Sequence, residues 1–117
     1  MITFRFLTIA IILMVAGCSE MCGNEVSQTV PSPSGKFAAV VFNRNCGATT
    51  GLNTQVAIVP GGTKIANDAG NTFIANGTVP LTLRWQSDAA LQISGFGNVS
   101  TFKKESQVFG VTISYAL

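Results

Sequence analysis

The pattern of apolar and polar positions predicts β-strands along most of the chain. Residues 25–30, EVSQTV, alternate between two faces with a period of two, which is the pattern of a half-buried strand. Residues 37–42, FAAVVF, are apolar on both faces and predict a central strand that is buried on both sides. Residues 55–59, QVAIV, predict a second buried strand, and the sequence PGG at 60–62 stops it.

Turn residues separate the first two predicted strands. The sequence PSPSGK follows the first strand, with Pro33 preset for a turn and Gly35 suited to the left-handed position that closes a hairpin. We therefore expect the first two strands to be antiparallel neighbours.

The second half of the chain predicts a hairpin and two further strands. Leu83 and Trp85 share one face of LRWQ, and Leu91 and Ile93 share one face of LQIS, with the turn SDAA between them. Such faces pair across a hairpin. Further strands are predicted at residues 72–75 and 109–115, where apolar residues again alternate with small or polar ones.

Together these runs predict a single all-β domain over residues 25–117. The expected architecture is a small antiparallel β-sandwich or rolled sheet of about six to seven strands. Trp85 and Tyr115 fall in phase with apolar strand neighbours, so we expect both to pack at the core or its rim and not to serve as ligand platforms.

The N-terminal segment has the features of an export signal. MITFRFLTIAIILMVAGC has Arg5 as its only charged side chain, followed by an apolar run over residues 6–15. That run is short for a membrane span, which needs about 20 apolar residues. Val15-Ala16-Gly17-Cys18 resembles the bacterial lipobox. We predict a lipoprotein signal peptide at residues 1–17, lipidation of the Cys18 thiol with diacylglycerol and palmitate, and a lipidated tether at residues 18–24.

Lipidation of Cys18 implies an exported protein anchored to a bacterial membrane. Ser19 follows the lipidated cysteine, where an aspartate is often associated with retention in the inner membrane. In a host with two membranes we therefore expect the periplasmic face of the outer membrane. In a host with one membrane the protein faces outward.

The cysteine count favours a disulfide between Cys22 and Cys46. The chain has three cysteines, and an odd cysteine in an exported protein needs an explanation. Lipidation of Cys18 supplies it, and the other two remain as a pair in an oxidising compartment. Closing a loop of about 25 residues stabilises a fold by roughly 3 kcal/mol in the chain-entropy model. The alternative is a free, reactive Cys46.

The composition disfavours catalysis and metal binding. The chain contains no histidine, which excludes Cys-His and Ser-His-Asp chemistry. Cys22 and Cys46 lack the short ligand spacings of a zinc site. We therefore expect no enzymatic activity, no metal and no cofactor.

The sequence GATTG, which follows Cys46, is the candidate binding loop. Gly47, Thr49, Thr50 and Gly51 offer backbone amides and hydroxyls to an anion, but the Gly-Lys-Ser/Thr ending of a phosphate loop is missing. The alternative is a tight connection in which the two glycines adopt positive φ and the threonines bond to nearby backbone.

The charge distribution does not favour nucleic acid as a partner. The chain has seven basic and five acidic residues and a formal net charge of +2. Only Lys103 and Lys104 are adjacent, whereas nucleic-acid binding uses clustered basic residues with aromatic platforms. We predict that this pair lies in a solvated turn that faces lipid headgroups.

Several of these segments resemble a family of small bacterial proteins of unknown function. They are CGNEV at residues 22–26, SPSGKFAAVVF at 32–42, RNCGATTGLNTQVAIVP at 44–60, and the later LRWQSDAALQIS. Members tend to carry Ser-Pro-Asp-Gly-Lys and then Cys-Gly-Ala-Thr-Thr-Gly-x-x-Thr-Gln-Val, and Ser34 here replaces the aspartate. The resemblance implies a shared β fold and a Cys22–Cys46 pair, and it brings no catalytic residues.

The sequence therefore favours a cell-envelope lipoprotein whose β domain binds an envelope protein or a glycan without catalysis. Two alternatives stay open. One is a thiol redox or enzymatic role centred on Cys46, and the other is an inhibitor or exclusion lipoprotein that blocks an incoming toxin or phage.

Overall fold

The computed structural model describes residues 22–47 and 51–117, and these residues form nine β-strands and no helix. The strands are β1 (Gly23–Pro31), β2 (Phe37–Asn45), β3 (Asn53–Pro60), β4 (Phe73–Asn76), β5 (Thr82–Ser87), β6 (Ala90–Ser94), β7 (Thr101–Lys104), β8 (Gln107–Val108) and β9 (Val111–Tyr115). They build two sheets that pack face to face, so the predicted all-β sandwich is confirmed.

The first sheet has five antiparallel strands in the order β1-β2-β3-β4-β7. As predicted, β1 and β2 form a hairpin, and Gly35 in its turn adopts a φ of 80°. β3 ends at Pro60, at the predicted stop. A bulge in β1 between Val26 and Gln28 shifts its register against β2.

The second sheet has four strands in the order β5-β6-β9-β8. The predicted hairpin of β5 and β6 is confirmed, with Leu83 opposite Ile93 and Trp85 opposite Leu91. The last strand begins at Val111 instead of residue 109, because Phe109 and Gly110 have φ values of 52° and 77°. Two successive positive φ angles make the tight turn that joins two antiparallel strands.

The nine strands include two that the pattern does not predict and one parallel pair. β7 and β8 have four and two residues, too few for an alternating apolar signal. They carry the chain from the first sheet to the second, so that β9 returns to β6 in the parallel direction. Lys103 and Lys104 belong to β7, so the prediction that they lie in a turn is wrong.

The main core lies between the two sheets. The five-stranded sheet contributes buried side chains on β2, β3 and β4, and the four-stranded sheet covers them with residues on or beside β5, β6 and β9. Phe73, Phe96 and Tyr115 form an aromatic cluster in this layer, with ring centroids 5.3 to 6.1 Å apart. Trp85 and Tyr115 pack against this core, as their phase in the strands predicts.

A second, smaller core covers the opposite face of the five-stranded sheet, which we call the outer face. Val40, Phe42 and Ala57 are buried there, with Val59 and Ile65 packed against them. Ile65 belongs to residues 61–71, the wall segment, which crosses this face between β3 and β4. The prediction that residues 37–42 are buried on both sides is therefore confirmed, with a loop and not a third layer on the outer side.

Candidate functional site

The disulfide joins Cys22 to Cys46 at the open end of the β1–β2 hairpin. Cys22 immediately precedes β1 and Cys46 immediately follows β2, next to the registered pair of Gly23 and Asn45. The predicted pairing of these two cysteines is therefore confirmed. The bond adds a covalent closure at the point where the ladder ends.

The structure describes the two ends of the predicted binding loop. Gly47 adopts the predicted positive φ, at 117°, and its N–H donates to Oδ1 of Asn45 at 3.0 Å. The predicted positive φ at Gly51 depends on residue 50, which lies outside the described residues, and stays a prediction. By Leu52 the chain has already joined the sheet, because the Leu52 carbonyl accepts a hydrogen bond from the Gly77 N–H at 2.8 Å.

The other predicted site residues lie outside the described residues. These are Thr49 and Thr50 in the loop, and Cys18 in the N-terminal segment. An anion site in the loop and a lipid on Cys18 therefore stay predictions.

A groove of about 720 Å³ lies on the outer face, between β1 and the wall segment. We call it the outer groove. It begins at the disulfide and runs along β1, and its lining comprises Cys22, Gly23, Asn24, Val26, Thr29, Val40, Thr63, Lys64, Ile65, Ala66 and Asn67.

Hydrogen bonds from β1 hold one side of the outer groove in place. The Asn24 side-chain amide donates to the carbonyls of Ala66 and Asp68 at 3.2 and 2.8 Å. In the other direction, Asn67 of the wall segment donates from Nδ2 to the Cys22 carbonyl, beside the start of β1, at 2.9 Å. The wall segment is thereby fixed to the start of β1 and to the disulfide.

Arg44 of β2 connects these two amides. Its Nη1 donates to Oδ1 of Asn24 at 2.8 Å and to Oδ1 of Asn67 at 3.0 Å. Both side-chain amides therefore have donors and acceptors engaged within the protein. They maintain the shape of the outer groove, which leaves ligand contacts to its other residues.

The far end of the wall segment is fixed to β3. The Gly70 N–H donates to Oε1 of the buried Gln55 at 2.6 Å. Asn71 makes two bonds of 2.8 Å to Ile58, accepting from its N–H and donating to its carbonyl. The amide of Asn71 thus pairs with the β3 backbone as a neighbouring strand would.

The remaining lining residues determine what the outer groove can bind. Val26, Val40 and Ile65 supply an apolar surface, and Val26 is half exposed to solvent. Lys64 is the one charged side chain among the described residues of the lining, and it is exposed. An apolar surface beside a single ammonium group suits a ligand that carries an apolar group and an acid.

The sequence analysis does not assign the outer groove, although two signals point to it. One is the two-sided apolar pattern of β2, which requires a cover on the outer face. The other is Ile65, an apolar residue inside an otherwise small and polar stretch. Neither signal shows that the cover leaves part of β1 open.

Two groups in the described part of the chain have clearly shifted pKa values, and both lie away from the outer groove. The Ser34 N–H donates to Oδ1 of Asp88 at 3.0 Å, and this bond lowers the pKa of that carboxyl. Burial, with a smaller effect of Glu105, raises the pKa of Tyr115 to about 12. Both groups join the two sheets and have structural roles.

Within residues 22–47 and 51–117, no group of three or more His, Cys, Asp or Glu side chains is arranged to hold a metal ion. The same part of the chain has no helix with the length and apolar character of a membrane span. Comparison with protein-family models, curated proteins and solved structures finds no match to this chain.

Proposed function

We propose that this protein is a bacterial cell-envelope lipoprotein whose β domain is a non-catalytic binding module. Cys18 carries the lipid, and the outer groove receives a partner from the envelope. The observation that carries the binding role is the open apolar surface of the outer groove beside Lys64.

The distribution of the cysteines supports the anchor. Cys22 and Cys46 are consumed in the disulfide, which leaves Cys18 as the third cysteine, at the end of the lipobox-like sequence. A thiol function centred on Cys46 requires a reduced cysteine, and the bond to Cys22 argues against it. No feature of residues 22–47 and 51–117 favours the inhibitor or exclusion hypothesis over a general binding role.

The chemistry of the outer groove favours a protein partner over a neutral glycan. Burial of a partner's apolar side chain against Val26, Val40 and Ile65 contributes a binding free energy of about 25 cal/mol per Å² of apolar surface. A carboxylate beside Lys64 accepts a charge-assisted hydrogen bond. A protein segment that presents an apolar and an acidic side chain satisfies both groups.

Fractionation of cells tests the anchor. We expect the natural protein in the membrane fraction, with the mass of a diacylated chain that starts at Cys18. The Cys18→Ala variant should leave that fraction. If the variant remains with membranes, or if the natural protein carries no acyl chain, the lipoprotein assignment is wrong.

Site-specific photo-crosslinking in cells tests the binding module. A crosslinking residue replaces Thr29, an exposed residue of β1 that lines the outer groove, and in a control it replaces Gln86, an exposed position on β5. We expect a reproducible protein adduct from position 29 and none from position 86. Adducts at both positions, or at neither, would contradict a specific partner at the groove.

A further inference from the structure

The strand register places one end of each of the five strands of the first sheet side by side, at the same end of the sheet. Gly23 pairs with Asn45, Arg44 with Asn53, and Asn53 with Asn76. Thr101 pairs with Ala75 at the same end. We call this the Cys22 end, because the chain enters the described domain there through Cys22.

Three of the six exposed large apolar side chains among the described residues lie at the Cys22 end. Leu52 precedes β3 and is half exposed, while Val99 and Phe102 flank the start of β7. The backbone bonds from Gly77 to Leu52 and from Asn76 to Ser100 place these residues beside one another in the ladder. Phe102 is 67% exposed, which is unusual for so large an apolar side chain.

The opposite end, which we call the Asp88 end, is formed mainly by polar turns. Ser34 donates to Asp88 across the two sheets, and Gly61 donates to the Lys36 carbonyl. Phe109, in the turn between β8 and β9, is the one exposed large apolar side chain found there among the described residues. The apolar surface is therefore unevenly distributed between the two ends.

The length of the tether sets how far the domain can lie from a lipid on Cys18. Four residue steps separate Cys18 from Cys22, and a fully extended chain advances at most about 3.5 Å per residue. The Cα atom of Cys22 therefore lies within about 14 Å of the Cα atom of the lipidated Cys18. The Cys22 end is the part of the domain that this short tether brings to the bilayer.

We propose that the Cys22 end lies flat on the lipid bilayer, with Leu52, Val99 and Phe102 in the interfacial layer. This inference rests on the proposed lipidation of Cys18. Apolar side chains gain free energy when they enter the boundary between headgroups and acyl chains. The exposed side chains then supply a second membrane contact.

The position of Phe102 makes the orientation specific. It lies on β7, at the edge of the sheet opposite β1, and five strands at about 4.8 Å spacing separate these edges by roughly 19 Å. A domain that tumbles on its tether does not keep Phe102 at the bilayer. A domain that lies on its Cys22 end does.

Fluorescence quenching by brominated lipids tests the orientation. The lipidated protein is reconstituted into phosphatidylethanolamine and phosphatidylglycerol vesicles that carry bromine on their acyl chains. Phe102→Trp is compared with Phe109→Trp, a matched control because Phe109 is 65% exposed and lies at the Asp88 end. Trp85 is present in both variants and contributes the same background fluorescence to each.

We expect the tryptophan at position 102 to lose about half of its added fluorescence, since interfacial side chains reach about 5–10 Å into the acyl boundary. The tryptophan at position 109 should lose almost none. Equal quenching at the two positions, including none at either, would overturn the proposed orientation. Cosedimentation of both variants with vesicles separates this outcome from a failure of lipidation, in which the protein stays in solution.

Discussion

The indole N–H of Trp85 donates a 2.9 Å hydrogen bond to the backbone carbonyl of Val30. Trp85 lies on β5 and Val30 on β1, so the bond joins the free edges of the two sheets. Gln28 adds a second bond at this edge, from Nε2 to the Leu81 carbonyl at 3.2 Å. These side chains satisfy edge groups that are otherwise open to pairing with another chain.

Replacing Trp85 by Phe should remove this bond while keeping an aromatic ring in place. We expect the free energy of unfolding to fall by about 0.5–1.5 kcal/mol, the net value of one hydrogen bond. Urea denaturation followed by far-ultraviolet circular dichroism measures the change. Arg84→Ala, at an exposed neighbour on the other face of β5, is the control and should change little.

Removal of the disulfide should destabilise the domain more. In the Cys22→Ser, Cys46→Ser double variant, the denatured chain regains the freedom of a loop whose ends lie 24 residues apart. We expect a loss of roughly 3 kcal/mol in the free energy of unfolding. Reduction of the natural protein should give the same loss. If the double variant and the reduced protein lose different amounts of stability, the serine side chains themselves change the stability and the loop-closure explanation is contradicted.

Gly70 allows the wall segment to approach β3. A Cβ at this position would lie 2.6 Å from the Val56 carbonyl oxygen, so Gly70→Ala requires the backbone to move. We expect a destabilisation of roughly 1–3 kcal/mol, as for other overpacked sites. Gly23→Ala is the matched control, because open space surrounds its Cβ position and its φ is outside the left-handed region. Equal effects in urea denaturation would contradict the close-approach argument.

The stability of the fold should decrease at high pH because of Tyr115. Burial raises the pKa of Tyr115 to about 12, whereas an unfolded chain has a tyrosine pKa of about 10. Between these values the unfolded state loses the proton first, so the tyrosine's contribution is present below about pH 10 and is lost as the pH rises toward 12.

Ultraviolet absorbance of tyrosinate measures this shift directly, since the chain contains one tyrosine. We expect the native protein to ionise at higher pH than the denatured protein. The Tyr115→Phe variant should also show a weaker fall in stability with pH. The main cause of the raised pKa is burial of the hydroxyl, which donates a hydrogen bond to the Glu105 carbonyl at 2.6 Å. Coincident native and denatured titrations would contradict it.

The strands that dominate the core are the ones that local sequence predicts best. Residues 37–42 and 55–59 combine apolar side chains with clear turn residues at their ends, and both became central strands. The hairpin of Leu83 and Trp85 with Leu91 and Ile93 followed from two matched faces and one short turn. In each case the information lies within about ten residues of chain, which is the range over which periodicity and turn chemistry act.

The sequence by itself determined the all-β class, the central strands and the pair of cysteines that can bond, because these depend on residue type and local spacing. Only the tertiary structure decided the sheet order, the parallel pairing of β9 with β6, and the outer groove. Asn24, Arg44 and Asn67 are far apart or unremarkable in sequence, yet their bonds hold the wall segment against β1. Such contacts join residues across about twenty positions or more, and local patterns carry no information about which distant partners meet.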